Sequence, residues 1–205
     1  MGWALVKGAV PKERALSYAD RAEDWLEGFN MGYKRNDTST WKSKNLPNGP
    51  DDGGLAVMSG TAPLFEKYFA EHQPPEGGWI KRDSYRWTDE ELQWFKDRGC
   101  EWLKPCLDPG DFILWDSRSV HYGAAPIGKN KRMAVYTCYK PVEFLTEEQR
   151  LRKVEAFNRG YMTSHDPTDF VLKAGQMSES NILFPYGRPT IDKATKQAIG
   201  IIPYE

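Results

Sequence analysis

The sequence predicts an α+β domain, an antiparallel sheet or half-barrel with helices beside it. Three observations lead there. Three strand-like runs, residues 101–107, 111–115 and 133–139, are separated by turn formers at Asp108-Pro109-Gly110 and Gly128-Lys129-Asn130. Helices bracket these runs, each opening on a capping box: Thr88 with Glu91, and Thr146 with Gln149. Finally, 8 Trp, 10 Tyr and 9 Phe among 205 residues suit strands and a large core or wide pocket.

The elements follow in order. From Pro11 to Phe29, Ala15, Tyr18, Ala19, Ala22, Trp25, Leu26 and Phe29 recur at helical spacing. Pro11 suits the first turn, Glu13 the N-terminal dipole, and Gly28 or Gly32 the end. Residues 34–54 are polar, without period and rich in turn formers, so they read as a loop, and a long one for a compact domain. Leu55–Met58 is a short strand and Pro63–Glu71 a helix, followed by breakers over Gln73–Gly78. The helix opened by Thr88 carries Leu92, Trp94 and Phe95 and ends at Gly99; the three strand-like runs follow. The helix opened by Thr146 runs to about Gly160, and the tail beyond it reads as irregular.

Composition excludes several functions. With 28 basic and 29 acidic residues, the chain lacks the basic excess that nucleic-acid binding by counterion release needs. No apolar stretch approaches the ~20 residues of a membrane span. Cys100, Cys106 and Cys138 are odd in number and form no C-x-x-C pair, so reduced thiols are expected rather than a disulfide framework or zinc cluster. The opening residues lack a secretory pattern, and Val6 stands where myristoylation at Gly2 would need Ser or Thr. The ending Pro203-Tyr204-Glu205 is no peroxisomal signal. The expectation is a cytoplasmic protein acting on a small molecule.

The chemically informative stretch runs from Asp108 to Tyr136. A tight turn feeds the apolar run Phe112-Ile-Leu-Trp115; His121 follows, then the small-residue loop Tyr122–Pro126, then Arg132 at the head of another strand-like run. His121 and Arg132 lie 11 residues apart, so neighbouring antiparallel strands would aim both at one cavity. A neutral imidazole binds Fe(II), and a guanidinium grips a carboxylate through two parallel hydrogen bonds. Together they suit an iron-chelated keto acid with a distal carboxylate. From spacing alone, a lone histidine near a strand end is more often a hydrogen-bonded structural residue, and an arginine at least as often a surface or interface one. A hydrolase reading fails, because the chain has no G-x-S-x-G elbow and Ser119 with His121 lacks a third group.

The run Pro109–Pro126, PGDFILWDSRSVHYGAAP, resembles the C-terminal metal motif of the phytanoyl-CoA dioxygenase family, especially its fungal members. Four other stretches resemble that family as well: Gly8–Arg14 with the Trp25-Leu-Glu helix, Asn48–Met58 with its Gly-Gly-Leu, Thr88–Phe95, and Arg132-Met-Ala-Val-Tyr136. The resemblance implies a jelly-roll (double-stranded β-helix) with flanking helices, and non-haem Fe(II)/2-oxoglutarate dioxygenase chemistry that hydroxylates a small organic molecule, in secondary metabolism. It implies His121 as the distal iron ligand, Arg132 as the grip on 2-oxoglutarate, and Fe(II) and 2-oxoglutarate as cofactors.

The family's other two iron ligands come from a His-x-Asp motif ahead of the Gly-Gly-Leu strand. This chain has three histidines, His72, His121 and His165; none begins His-x-Asp, and the first and last follow Gly53-Gly54. Ser-His after that strand is replaced by Thr61-Ala62. The expected organisation is therefore an N-terminal helical segment (1–33), a loop where the block carrying His-x-Asp is absent (34–54), the C-terminal half of the jelly-roll (55–145), and a helix with irregular tail (146–205). Asp116 and His165-Asp166 are the local candidates to rebuild the site, against simpler roles as a turn cap and a solvated turn. A partial barrel leaves edges and an apolar face uncovered. The alternative function is thus a truncated remnant or partner-binding pseudoenzyme, with a partner chain over the exposed half-barrel.

Overall fold

The computed structural model describes residues 1–28, 32–40, 53–76, 78–79, 85–125, 127, 133–161, 164–170 and 187–204. The chain forms two compact units, residues 1–134 and 135–205. Both helices and small antiparallel sheets are present, as the α+β expectation requires.

The first unit holds two sheets. β1 (Trp3–Val6) pairs antiparallel with β4 (Phe112–Trp115), setting Trp3 opposite Trp115 and Val6 opposite Phe112. The second sheet has order β3-β2-β5, with β2 (Gly54–Ser59) between β3 (Glu101–Leu103) and β5 (His121–Ala124). Val57 faces both Leu103 and His121. Opposed residues in an antiparallel pair share a face, so Val57, Leu103 and His121 look the same way. That face meets the ribbon face bearing Trp3 and Trp115: Trp3 Nε1 donates to Ser59 Oγ (3.4 Å), and the Trp115 and His121 rings lie 5.8 Å apart.

The core lies behind β2. Leu55, Ala56, Val57 and Met58 are all buried, the pattern of a strand covered on both faces. Met58 joins Tyr68, Phe95, Cys100 and Val120 in one cluster, flanked by Leu64, Phe69, Trp87, Leu92 and Trp94. Two helices supply most of it. α2 (Phe65–Glu71) follows a 3₁₀ turn over Ala62–Leu64 with Pro63 in its first turn. α3 (Asp89–Lys96) has the predicted capping box: the Glu91 N–H donates to Thr88 Oγ1, and the Thr88 N–H donates to Glu91 Oε2 at 2.7 Å. Each large side chain so buried contributes about 1.5–3 kcal/mol. α1 (Lys12–Gly28), by contrast, buries none of its residues fully, and Leu16, Tyr18 and Trp25 stay exposed.

In the second unit, α4 (Glu147–Arg159) begins with the Thr146–Gln149 capping box and ends at Gly160, whose φ of 65° is the left-handed value glycine adopts freely. α5 (Lys193–Ala198) is capped by Asp192, which accepts from the Thr195 N–H at 2.7 Å. Arg150 and Arg152 donate to the carbonyls of Ile201 and Phe170, tying α4 to later segments.

Several elements depart from expectation. The run 101–107 is a strand only to Leu103, because Pro105 has no N–H for a ladder. The stretch after Val120, read as a loop, is β5, drawn into the sheet by β2. Residues 3–6 and 193–198 form elements that local pattern did not announce. Residues 133–139 form no strand; their β-propensity finds expression only where a neighbour completes the ladder. The loop expected over 34–54 is described only at its ends, where a 3₁₀ turn spans Thr38–Thr40. No helix among the described residues is long and apolar enough to cross a membrane.

Candidate functional site

The site begins at the turn that feeds β4. Gly110 has φ of +99°, and a Cβ there would lie 2.1 Å from the Val10 carbonyl oxygen. Only glycine allows the chain to pass so closely. The Asp111 carboxylate accepts from Lys7 Nζ (2.6 Å), the Gly8 N–H (3.0 Å) and the Asp108 N–H (2.8 Å). The Lys7 ammonium, then the two backbone donors, hold its carboxyl at about 2, below the usual carboxylate range. Asp111 thereby fastens the N-terminal segment to the turn and fixes the start of β4.

β4 ends at Trp115, and a second turn carries Asp116 to Ser119. The Asp116 N–H donates to the Gly2 carbonyl (2.8 Å), and the Ser119 N–H to the Asp116 carbonyl (2.9 Å). The Asp116 carboxylate accepts from Arg118 Nε (3.1 Å) and Nη2 (2.8 Å), which lowers its pKa. Asp116 is therefore a turn residue engaged with Arg118, the simpler role the sequence allowed it.

His121 opens β5. Its Nδ1 lies 2.7 Å from the Ser119 carbonyl oxygen. A carbonyl only accepts, so Nδ1 is the donor, and the neutral tautomer compatible with this contact has its lone pair on Nε2. A metal-binding histidine is oriented in this way, its other nitrogen donating to a backbone carbonyl. His121 is exposed, on the face its sheet turns toward Trp3 and Trp115.

The other two histidines have surroundings of their own. His72 ends α2, with Nδ1 2.7 Å from the Tyr68 carbonyl oxygen and its ring stacked on Tyr68 at 4.0 Å. His165 and Asp166 belong to the second unit, where Asp166 accepts from Lys140 Nζ (2.6 Å), Thr168 and Asp169. Burial pushes the Asp166 carboxyl up, but these donors outweigh it and the net shift is downward. Arg132 lies outside the described residues. Among the described residues, no three His, Cys, Asp or Glu side chains gather to hold a metal ion.

Thr61, which the sequence marks only as standing where the resembled motif has Ser, is a fully buried hydroxyl bonded to the backbone just before His121. Nothing local to Thr61 announces that contact.

No family model matches the chain, and no solved structure matches it. It is similar to a curated protein of Aspergillus versicolor called Ava biosynthesis cluster protein O, 25% identical over 261 residues, covering 84% of this chain and 85% of the relative. That alignment is longer than the chain: 84% of 205 residues is about 172, so about 90 of its positions face no residue here.

Proposed function

We propose that the chain descends from the Fe(II)/2-oxoglutarate dioxygenases of the phytanoyl-CoA dioxygenase type and serves secondary metabolism on a small organic molecule. His121 and Arg132 are, in this reading, its retained metal and cosubstrate positions. The observation that carries the reading is the His121 imidazole, with Nδ1–H given to the Ser119 carbonyl and Nε2 left as an acceptor. The membership of the A. versicolor relative in a biosynthesis cluster supports the metabolic setting.

One imidazole fits one position of a facial triad, but among the described residues no further His, Cys, Asp or Glu pair joins it to complete the set. A triad takes two histidines and a carboxylate, while His72 is stacked on Tyr68 and Asp116 is held by Arg118. No oxidation step is therefore assigned to this chain by itself. A second reading, a non-catalytic remnant or partner-binding pseudoenzyme, is favoured by the roughly 90 alignment positions without a residue here. Taken together, that many positions are enough for the barrel strands and the His-x-Asp absent from the sequence. Exposed Trp102 and Tyr122, whose rings lie 5.0 Å apart on one sheet face, and exposed Phe112 and Leu114 on the ribbon, suit surfaces that such a block, or another chain, covers.

The deciding experiment adds Fe(II) and 2-oxoglutarate anaerobically to the purified chain and records the visible iron-to-keto-acid charge-transfer band. A band lost in His121→Ala and in Arg132→Ala supports a working centre built from other ligands. No band from a folded chain leaves the pseudoenzyme reading.

A further inference from the structure

We infer that Thr61 is the positioning residue of His121, acting through the peptide plane between Ser119 and Val120. The inference rests on the reading of His121 as the functional imidazole. Thr61 is fully buried and follows β2. Its Oγ1 donates to the Met58 carbonyl (2.8 Å) and accepts from the Val120 N–H (2.9 Å). The Met58 N–H in turn donates to the Val120 carbonyl at 2.8 Å. Val120 is thus held on both of its backbone polar groups by the end of β2.

The consequence reaches His121 by covalent geometry. The Ser119 carbonyl and the Val120 N–H belong to one planar peptide unit, and in a trans peptide they point in opposite directions. Fixing the Val120 N–H on Thr61 therefore fixes the Ser119 carbonyl on the other side. That carbonyl is the group bonded to His121 Nδ1 at 2.7 Å. Ser119 itself is buried, with Oγ donating to the Gly2 carbonyl (3.3 Å). A hydroxyl separated from the ring by two hydrogen bonds and one peptide unit thus sets its tautomer and the direction of its Nε2 lone pair. Valine in place of Thr61 keeps the shape and removes the acceptor, freeing the plane to rotate.

The test reads the imidazole directly. The full-length chain is labelled with ¹⁵N-histidine, and two-bond ¹H–¹⁵N spectra are recorded at a pH where the rings are neutral. The signal lost in His121→Gln identifies the ring. The wild type is expected to show Nδ1–H, Thr61→Val a mixture of tautomers, and Thr61→Ser the wild-type pattern. A folded Thr61→Val with an unchanged tautomer overturns the inference, as does an Nε2–H ring in the wild type. Where Thr61→Val does not fold, Thr61→Ala, which also lacks the hydroxyl and adds no bulk, carries the same expectation and the same overturning outcome. Absence of the charge-transfer band from a folded chain would instead count against the metal-ligand reading, leaving the tautomer spectra to judge Thr61.

Discussion

The region from β2 through α3 and the region from β4 to β5 are both rich in apolar residues, yet they use them differently. In the first, Val57, Met58, Tyr68 and Phe95 are buried nearly completely. In the second, Phe112 is 39% exposed, Leu114 48% and Tyr122 53%. Sheet position explains the difference. β2 has a strand on each side and helices behind it, whereas β4 belongs to a two-stranded ribbon and β5 to a sheet edge. The segment that carries the chemical motif is held mainly by hydrogen bonds and turns, and the neighbouring segment supplies the packing.

The sharpest way to break this contrast is to truncate one residue from each region. Phe95→Ala is expected to cost about 3–5 kcal/mol, the range for a buried aromatic, and Leu114→Ala under about 1 kcal/mol, as for a surface change; urea unfolding measures both. Equal losses would mean that the ribbon face is covered in solution. Next comes Gly110→Ala, where the left-handed φ alone costs about 1–3 kcal/mol and the Val10 carbonyl must also move. Hydrogen exchange should show it locally, as faster exchange at the Val10 amide, which donates to the Gly110 carbonyl. Thr88→Ala, which removes the α3 cap but no core atom, is expected to cost about 1 kcal/mol, and Thr88→Ser to restore most of it.

The smallest effect sharpens the contrast through pH. Asp111 has its folded pKa depressed to about 2 by Lys7 and two backbone donors. A depressed carboxyl stabilises the fold above its ordinary pKa and ceases to as pH falls through the folded value. Urea midpoints of the wild type should therefore decline from near pH 4 toward pH 2 more steeply than those of Asp111→Asn. Parallel slopes would show that the Lys7–Asp111 link does not hold the N-terminal segment. In the packed region, burial raises the Tyr85 phenol to about 12, with its hydrogen bond to Glu91 adding to the shift. Its alkaline titration should move toward the normal tyrosine range in Glu91→Gln.

What the sequence settled by itself was local. The capping boxes at Thr88 and Thr146, the glycine stop at Gly160 and the Pro109-Gly110 turn each follow from contacts within a few residues, which sequence order guarantees. The candidate role of His121 was legible for the same reason: it stands in a contiguous run of motif residues. The tertiary structure decided what distant segments do for one another. Four residues at 3–6 are a strand only because β4 lies beside them, residues 133–139 are not one, and Thr61 matters because folding brings it to Val120. A ladder bond or a buried hydroxyl clamp needs a partner dozens of residues away, and no local pattern names that partner, because a strand records only its own alternation and not the edge it will meet.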